Sequence, residues 1–200
     1  MATPSIAVGP TDTPLLDMTI GENLLRTVEE HGNRDALVSC HQGIRWTYDE
    51  FADRVGALAS AMVAAGLQVG DRVGLWSPNY AEWTLVQYAT ANIGVILVNV
   101  NPAYRTHELA YALNQSGCRW LIAAPSYQTS DYRAMTEEVR AEVPTLERTI
   151  FFWDDDWDEL CAGDGARSGD VDTIVASLSP DDPINIQYTS GTTGFPKGAT

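Results

Sequence analysis

Short apolar runs rich in β-branched residues alternate with amphipathic stretches along most of this 200-residue chain. That alternation leaves few folds open. Residues 72–76, 94–100, 120–124, 148–153 and 184–188 read as strands. Residues 79–92 set Trp83, Val86 and Ala89 on one helical face. A second helix carries Leu109, Ala112 and Leu113, and a third spans 131–141. Parallel neighbours need a crossover of about a dozen residues, usually helical. The order predicts an α/β fold: a largely parallel sheet with helices on both faces.

Upstream of that repeat, residues 1–18 are rich in Thr and Pro and read as a flexible lead-in, with the folded unit at 19–200. Thr19-x-x-Glu22 is a capping box that opens a helix with Leu24, Leu25 and Val28. His31-Gly32-Asn33 closes it. Residues 36–39 and 44–46 flank a polar turn and predict a β-hairpin. Thr47-x-x-Glu50 is a second box, and Phe51, Val55, Leu58 and Met62 then fall on one face. Gly66 stops that helix. Asn79-x-x-Glu82 and Thr106 read as the starts of the next two. Residues 154–171 break the rhythm; acidic and Gly-rich, they predict a surface excursion. Residues 174–178 read as a short helix.

The formal net charge of −15 argues against nucleic acid or an anionic membrane surface as partner. An anionic ligand would have to be held by local donors. Cys40, Cys118 and Cys161 show neither zinc spacing nor a disulfide framework, which fits a reducing cytoplasm. No basic residue precedes Arg26, so no secretory signal is legible. The longest apolar run, 93–100, is too short to span a bilayer. Asp154, Asp155, Asp156, Asp158 and Glu159 lack the Gly and terminal Glu of a calcium loop and read as a solvated face, so no metal site is expected. His31, His41 and His107 are scattered. Trp76, Trp83, Tyr88 and Trp120 read as core packing. Tyr104 and Arg105 follow a turn at a strand end, where ligands often bind in α/β sheets, and are assigned a structural role.

The chemistry concentrates at Tyr188-Thr189-Ser190-Gly191-Thr192-Thr193-Gly194-Phe195-Pro196-Lys197-Gly198. A phosphate cradle needs exposed amides, small residues and hydroxyl or ammonium donors, and this run supplies all three. It is not GxxxxGK[ST], because Pro196-Lys197-Gly198 stands where that motif needs Gly-Lys-Ser/Thr. It is neither GxGxxG nor the GxSxG nucleophile elbow. A generic flexible connection would explain the glycines but not the order. Pro196 also fixes the backbone where the lysine must project.

The run YTSGTTGFPKGAT resembles the signature of the adenylate-forming, AMP-binding enzymes: acyl-CoA synthetases, amino-acid adenylation domains and luciferases. The resemblance extends to Trp46-Thr47-Tyr48-Asp49-Glu50-Phe51, to Gly70-Asp71-Arg72-Val73-Gly74 and to residues 94–102. Asn101-Pro102-Ala103-Tyr104-Arg105, Glu108-Leu109-x-Tyr111-Ala112-Leu113 and residues 182–187 are most similar to medium-chain fatty-acyl-CoA synthetases. It implies the N-terminal part of the large domain of such an enzyme, incomplete at its C-terminus and without the small C-terminal domain. The reaction implied joins a carboxylate to the α-phosphorus of Mg-ATP, releasing pyrophosphate; coenzyme A then displaces AMP. ATP with its Mg²⁺ and coenzyme A are thus the implied cofactor and co-substrate, and a fatty acid the substrate. Thr189, Ser190, Gly191, Thr192, Thr193, Gly194, Phe195, Pro196 and Lys197 are the implied ATP-phosphate contacts.

The family's Tyr-Gly-x-Thr-Glu segment, ribose-binding aspartate, hinge and adenylation lysine are not found in these 200 residues. No catalytic residue is therefore assigned. The chain is expected to lack ligase activity alone and to expose an apolar sheet edge. A non-catalytic nucleotide- or phosphate-binding module, and an adenylation domain that loads a carrier protein, are the alternatives.

Overall fold

The computed structural model describes residues 8–10, 12, 14–162, 169–189 and 196–200. Described residues before 19 form neither helix nor strand. Helix α1 (Ile20–His31) opens with the expected box: Thr19 Oγ1 accepts from the Glu22 amide, and Glu22 Oε2 accepts from the Thr19 amide. Its Leu24 is buried, whereas Leu25 is an exposed side chain. Strands β1 (Asp35–Ser39) and β2 (Ile44–Thr47) form the predicted antiparallel hairpin. Helix α2 (Tyr48–Ala64) repeats the reciprocal cap at Thr47 and Glu50. It buries Phe51, Val55, Leu58 and Met62, each worth about 1.5–3 kcal/mol.

The strand–helix repeat follows. It runs β3 (Arg72–Trp76), α3 (Ala81–Asn92), β4 (Ile96–Val100), α4 (Thr106–Ser116) and β5 (Trp120–Ala123). A small clasp, β6 (Ser126–Tyr127) and β7 (Ser130–Asp131), leads into α5 (Tyr132–Val139). Then come β8 (Arg148–Phe151), α6 (Asp155–Cys161), α7 (Gly169–Val175), β9 (Asn185–Thr189) and β10 (Lys197–Ala199). The main sheet has the order β10-β9-β4-β3-β5-β8. Every pairing is parallel except β9 with β10.

This order dictates where the helices lie. Parallel crossovers are right-handed, so a step in one direction along the sheet puts its helix on one face and a reverse step on the other. From β3 to β4 the chain steps one way; from β4 to β5 and β8 it steps back. Helix α3 is thus separated from α4 and α5, and the return from β8 to β9 sets α6 and α7 with α3. The packing agrees: α4 touches α5, while α2 touches α1, α3, α6 and α7. Both faces of the sheet are covered, which is why β3 and β5 are buried along nearly all their length.

Four local expectations are corrected. First, Asn79 does not cap α3. The N-cap is Tyr80, without a side-chain bond, and the Ala81 amide donates instead to Gln42 Oε1 of the β1–β2 turn. A distant side chain does the work of a local box, and Glu82 turns inward to accept from Gln42 Nε2 and Trp153 Nε1. Second, Thr106 is the first residue of α4, not its cap. The N-cap is Arg105, whose amide donates to Glu108 Oε2.

Third, β4 begins at Ile96, not at residue 94, because Gly94 turns the chain with φ +65°. A Cβ there would lie 2.8 Å from Leu178 Cδ2. Gly94→Ala is expected to destabilise by about 1–2 kcal/mol, the left-handed penalty for an L-residue, read as a lower urea midpoint.

Fourth, the acidic stretch is not a mere surface excursion. Residues 155–161 are α6, which buries Trp157 and Leu160 and turns Asp155, Asp156, Asp158 and Glu159 outward. Trp157 meets Phe152 edge-on, with ring centroids 4.8 Å apart. Asp154 pairs with Arg133, which holds its carboxyl below the usual range. Helix α7 starts at Gly169 and buries Val171, earlier than the helix expected at 174. Residues 163–168 lie outside the described residues.

Candidate phosphate-binding site at the carboxyl edge of the sheet

Five parallel strands point the same way, so Trp76, Val100, Ala123, Phe151 and Thr189 all end at one edge. In open α/β sheets that edge is where ligands bind. Strand β9 lies beside β4, with Asn99 opposite Gln187 and Asn99 Nδ2 donating to Gln187 Oε1 at 2.9 Å.

The chain leaves β9 at Thr189 and returns antiparallel as β10. Thr189 pairs with Lys197, and Thr189 Oγ1 donates to the Lys197 carbonyl at 3.4 Å. Both residues are exposed at the mouth of the hairpin, and Pro196 immediately precedes β10. Gly198 permits a close approach: a Cβ there would fall 2.9 Å from Ile186 Cγ2. Of the residues assigned to the loop from sequence, Ser190, Gly191, Thr192, Thr193, Gly194 and Phe195 lie outside the described residues.

Beside this mouth the 101–105 turn is held by several hydrogen bonds. Asn101 Oδ1 accepts from the Ala103 amide, and the Asn101 carbonyl accepts from the Tyr104 amide. Trp76 Nε1 donates to the same carbonyl at 3.1 Å. Tyr132 Oη donates to the Pro102 carbonyl at 2.6 Å. The two rings stack with centroids 3.5 Å apart and planes 12° from parallel. Burial pushes the Tyr132 phenol up, so it stays a donor at neutral pH. Arg105 is exposed and donates Nη1 to Ser130 Oγ at 2.7 Å. Arg105 and Lys197 are thus both exposed cations, carried on the connections that leave two adjacent strands at this edge.

From sequence, Trp76 reads as packing alone and Tyr132 carries no distinguishing signal. The legible signal was the indole N–H of a tryptophan in a buried strand, which needs an acceptor. Tyr104 and Arg105 stand at the sheet edge as expected, and their part in the turn is structural.

Two other features are set apart from this site. A cavity of about 570 Å³ is lined by Trp46, Arg54, Glu82, Trp153 and Trp157 among others, and among the described residues neither Thr189 nor 196–200 line it. Its buried carboxylate already has two donors, and Arg54 lies over the Trp46 ring. Burial pushes the Cys118 and Cys161 thiols up to about 12, so neither is a thiolate nucleophile at neutral pH.

An open, mostly parallel α/β sheet with an antiparallel β9–β10 pair beside its carboxyl edge places the chain in the class of α/β proteins that bind ligands at that edge. Comparison with known proteins narrows the class. Residues 24–200 match the AMP-binding enzyme family, and the chain belongs to that family.

Its relatives include medium-chain acyl-CoA ligase ACSF2, mitochondrial, of Danio rerio, 37% identical over 99% of this chain and 36% of that protein. The putative acyl-CoA synthetase YngI of Bacillus subtilis is 36% identical over 92% of this chain and 37% of its own length. The chain therefore spans about a third of the length of these relatives. Among solved structures, the inhibitor-bound N-terminal domain of FACL13 from Mycobacterium tuberculosis superposes with a TM-score of 0.78 at 26% identity. It is matched over 90% of this chain and 43% of that one. A long-chain-fatty-acid-CoA ligase of Archaeoglobus fulgidus shares the fold, with a TM-score of 0.81 at 20% identity over 98% of this chain and 38% of that one. Among the described residues, no helix is long and apolar enough to cross a membrane.

Proposed function

We propose that residues 19–200 are the N-terminal portion of the large domain of a longer acid–CoA ligase that acts on fatty acids. One observation carries this: the hairpin 189–197 stands at the carboxyl edge of a parallel sheet in a chain of the AMP-binding family. The names of the relatives, medium-chain acyl-CoA ligases among them, support a fatty-acid substrate.

In that reaction a carboxylate attacks the α-phosphorus of ATP, and negative charge accumulates on the departing pyrophosphate. The task of this chain is positioning and charge neutralisation. Lys197 supplies a cation at the hairpin mouth. Ser190, Thr192, Thr193 and the amides of Gly191 and Gly194 supply neutral donors, with Thr189, Phe195 and Pro196 completing the loop. Mg²⁺ travels with ATP and offsets charge on its phosphates. The carboxylate is already ionised at neutral pH, so no general base is required. Coenzyme A then takes the acyl group as a thioester.

The longer ligase is expected to form acyl-CoA from a medium-chain fatty acid, ATP and coenzyme A, followed by mass spectrometry of the thioester. The 200 residues alone are expected to form none. Acyl transfer to a carrier protein in place of coenzyme A would reassign the enzyme to carrier loading. Nucleotide binding without any acyl-adenylate from the longer chain would leave a non-catalytic phosphate-binding module. The location we propose is the cytoplasm, on the three cysteines that show no disulfide framework. The vertebrate relatives are named mitochondrial, and co-fractionation with mitochondria would replace the cytoplasmic assignment.

A further inference from the structure

We propose that consecutive residues of α4 clamp both stems of the phosphate hairpin, and that Tyr111 is the positioning residue for Lys197. The inference rests on the ATP-binding role of the loop.

Two hydroxyl bonds straddle the loop. On its entry side Tyr188, the residue before Thr189, donates Oη to the carbonyl of Ala112 at 3.0 Å. On its exit side Tyr111 donates Oη to the carbonyl of Pro196 at 3.2 Å. The anchors on α4 are thus residues 111 and 112, one after the other. The Tyr111 and Tyr188 rings meet edge-on, with centroids 6.5 Å apart.

The Tyr111 hydroxyl stands between Gln115 and the Pro196 carbonyl. Gln115 Nε2 lies 2.8 Å from Tyr111 Oη and can only donate. The Pro196 carbonyl can only accept. Tyr111 accepts from Gln115 and donates to Pro196. That carbonyl belongs to the peptide unit joining Pro196 to Lys197, so holding it sets the direction in which the Lys197 backbone leaves the loop. Proline fixes the torsion on the other side of the same residue. The Tyr188 hydroxyl, whose pKa burial raises, remains a protonated donor at neutral pH.

A glycine-rich loop needs such anchors. Each unfixed residue retains conformational freedom that phosphate binding would have to remove, and small misplacement of a charged donor lowers its effect on the transition state. Helix α4 is a rigid element packed on the sheet through Leu109, Ala112 and Leu113, all fully buried. It transfers that rigidity to the hairpin through two hydroxyls.

The test compares Tyr111→Phe, Tyr188→Phe and Lys197→Ala in the longer ligase, with hydrogen exchange of the peptides covering 189–199 read without ligand. Tyr111→Phe is expected to raise the KM for ATP about fivefold, the size of one neutral hydrogen bond. The KM for the fatty acid and the melting temperature are expected to stay put, while exchange rises within 189–199 only. Tyr188→Phe is expected to act in the same direction. If Lys197→Ala raises the KM for ATP and Tyr111→Phe changes neither KM nor exchange, the clamp is wrong and the phosphate loop stands. If neither variant moves the KM for ATP, the phosphate loop fails and the clamp with it. A Tyr111→Phe enzyme that melts earlier and loses ATP and fatty acid affinity together would assign Tyr111 to general stability and overturn the proposal.

Discussion

Trp76→Ala is expected to destabilise the chain by about 3–5 kcal/mol, the range for truncating a large buried aromatic residue. Trp76 is 0% exposed and lies at the end of β3 in the middle of the sheet. Three losses coincide on truncation: the indole's buried surface, its stack on Tyr132, and its hydrogen bond to the Asn101 carbonyl. Against a total of about 5–15 kcal/mol for a typical domain, that is a large share. Trp76→Phe separates the contributions. It keeps a ring against Tyr132 and drops the N–H, leaving the Asn101 carbonyl with the Tyr104 amide alone. The lost hydrogen bond is expected to cost about 0.5–1.5 kcal/mol. Urea unfolding followed by circular dichroism reads both, with an unchanged denaturant slope marking the effect as one on stability. Equal midpoints for Trp76→Ala and wild type would remove Trp76 from the account of the turn.

The second large effect is expected at Glu82, a residue the sequence presents as part of a helix start. It is 8% exposed, and its two carboxylate oxygens accept from Gln42 Nε2 at 2.8 Å and Trp153 Nε1 at 2.9 Å. It therefore joins the hairpin turn, the first turn of α3 and the turn between β8 and α6. An acidic side chain in the first turn of a helix is also favoured by the helix dipole. Glu82→Leu leaves the Gln42 amide without its acceptor, at about 1–3 kcal/mol. Trp153 is 47% exposed and can turn its N–H to water, so its share is smaller. Gln42 bonds to both Glu82 and the Ala81 amide, so Gln42→Ala and Glu82→Leu are expected to be non-additive, with a coupling of about 0.5–3 kcal/mol. Strict additivity would mean that the three elements are held independently.

Much of the fold was legible because local and long-range signals agree. The Thr19 and Thr47 boxes, the hairpin and the strand at 72–76 stand where spacing and capping chemistry put them, and the strand expected at 120–124 forms over 120–123. The misses have more than one cause. Asn79 was passed over as a cap because Gln42, from another element, reaches the Ala81 amide. Helix α6 was hidden by its acidic residues, although Trp157 and Leu160 have the i, i+3 spacing of a buried stripe. At the site, the order of residues 188–198 carried the chemistry, and the structure adds its frame. Trp76 and Tyr132 under the 101–105 turn, and Tyr111 and Tyr188 beside the hairpin, are contacts between elements that no local pattern encodes.

The central claim is that the hairpin 189–197 grips the phosphates of ATP while a fatty acid is activated. Exchange of labelled pyrophosphate into ATP by the longer ligase tests it most directly, because that exchange reports adenylate formation without coenzyme A. Exchange is expected to require a medium-chain fatty acid. Lys197→Ala is expected to lower its efficiency roughly 10- to 100-fold, which corresponds to the about 1.5–3 kcal/mol of a charged hydrogen bond. Exchange with no carboxylic acid of any chain length, or exchange by Lys197→Ala at the wild-type rate, would contradict the claim.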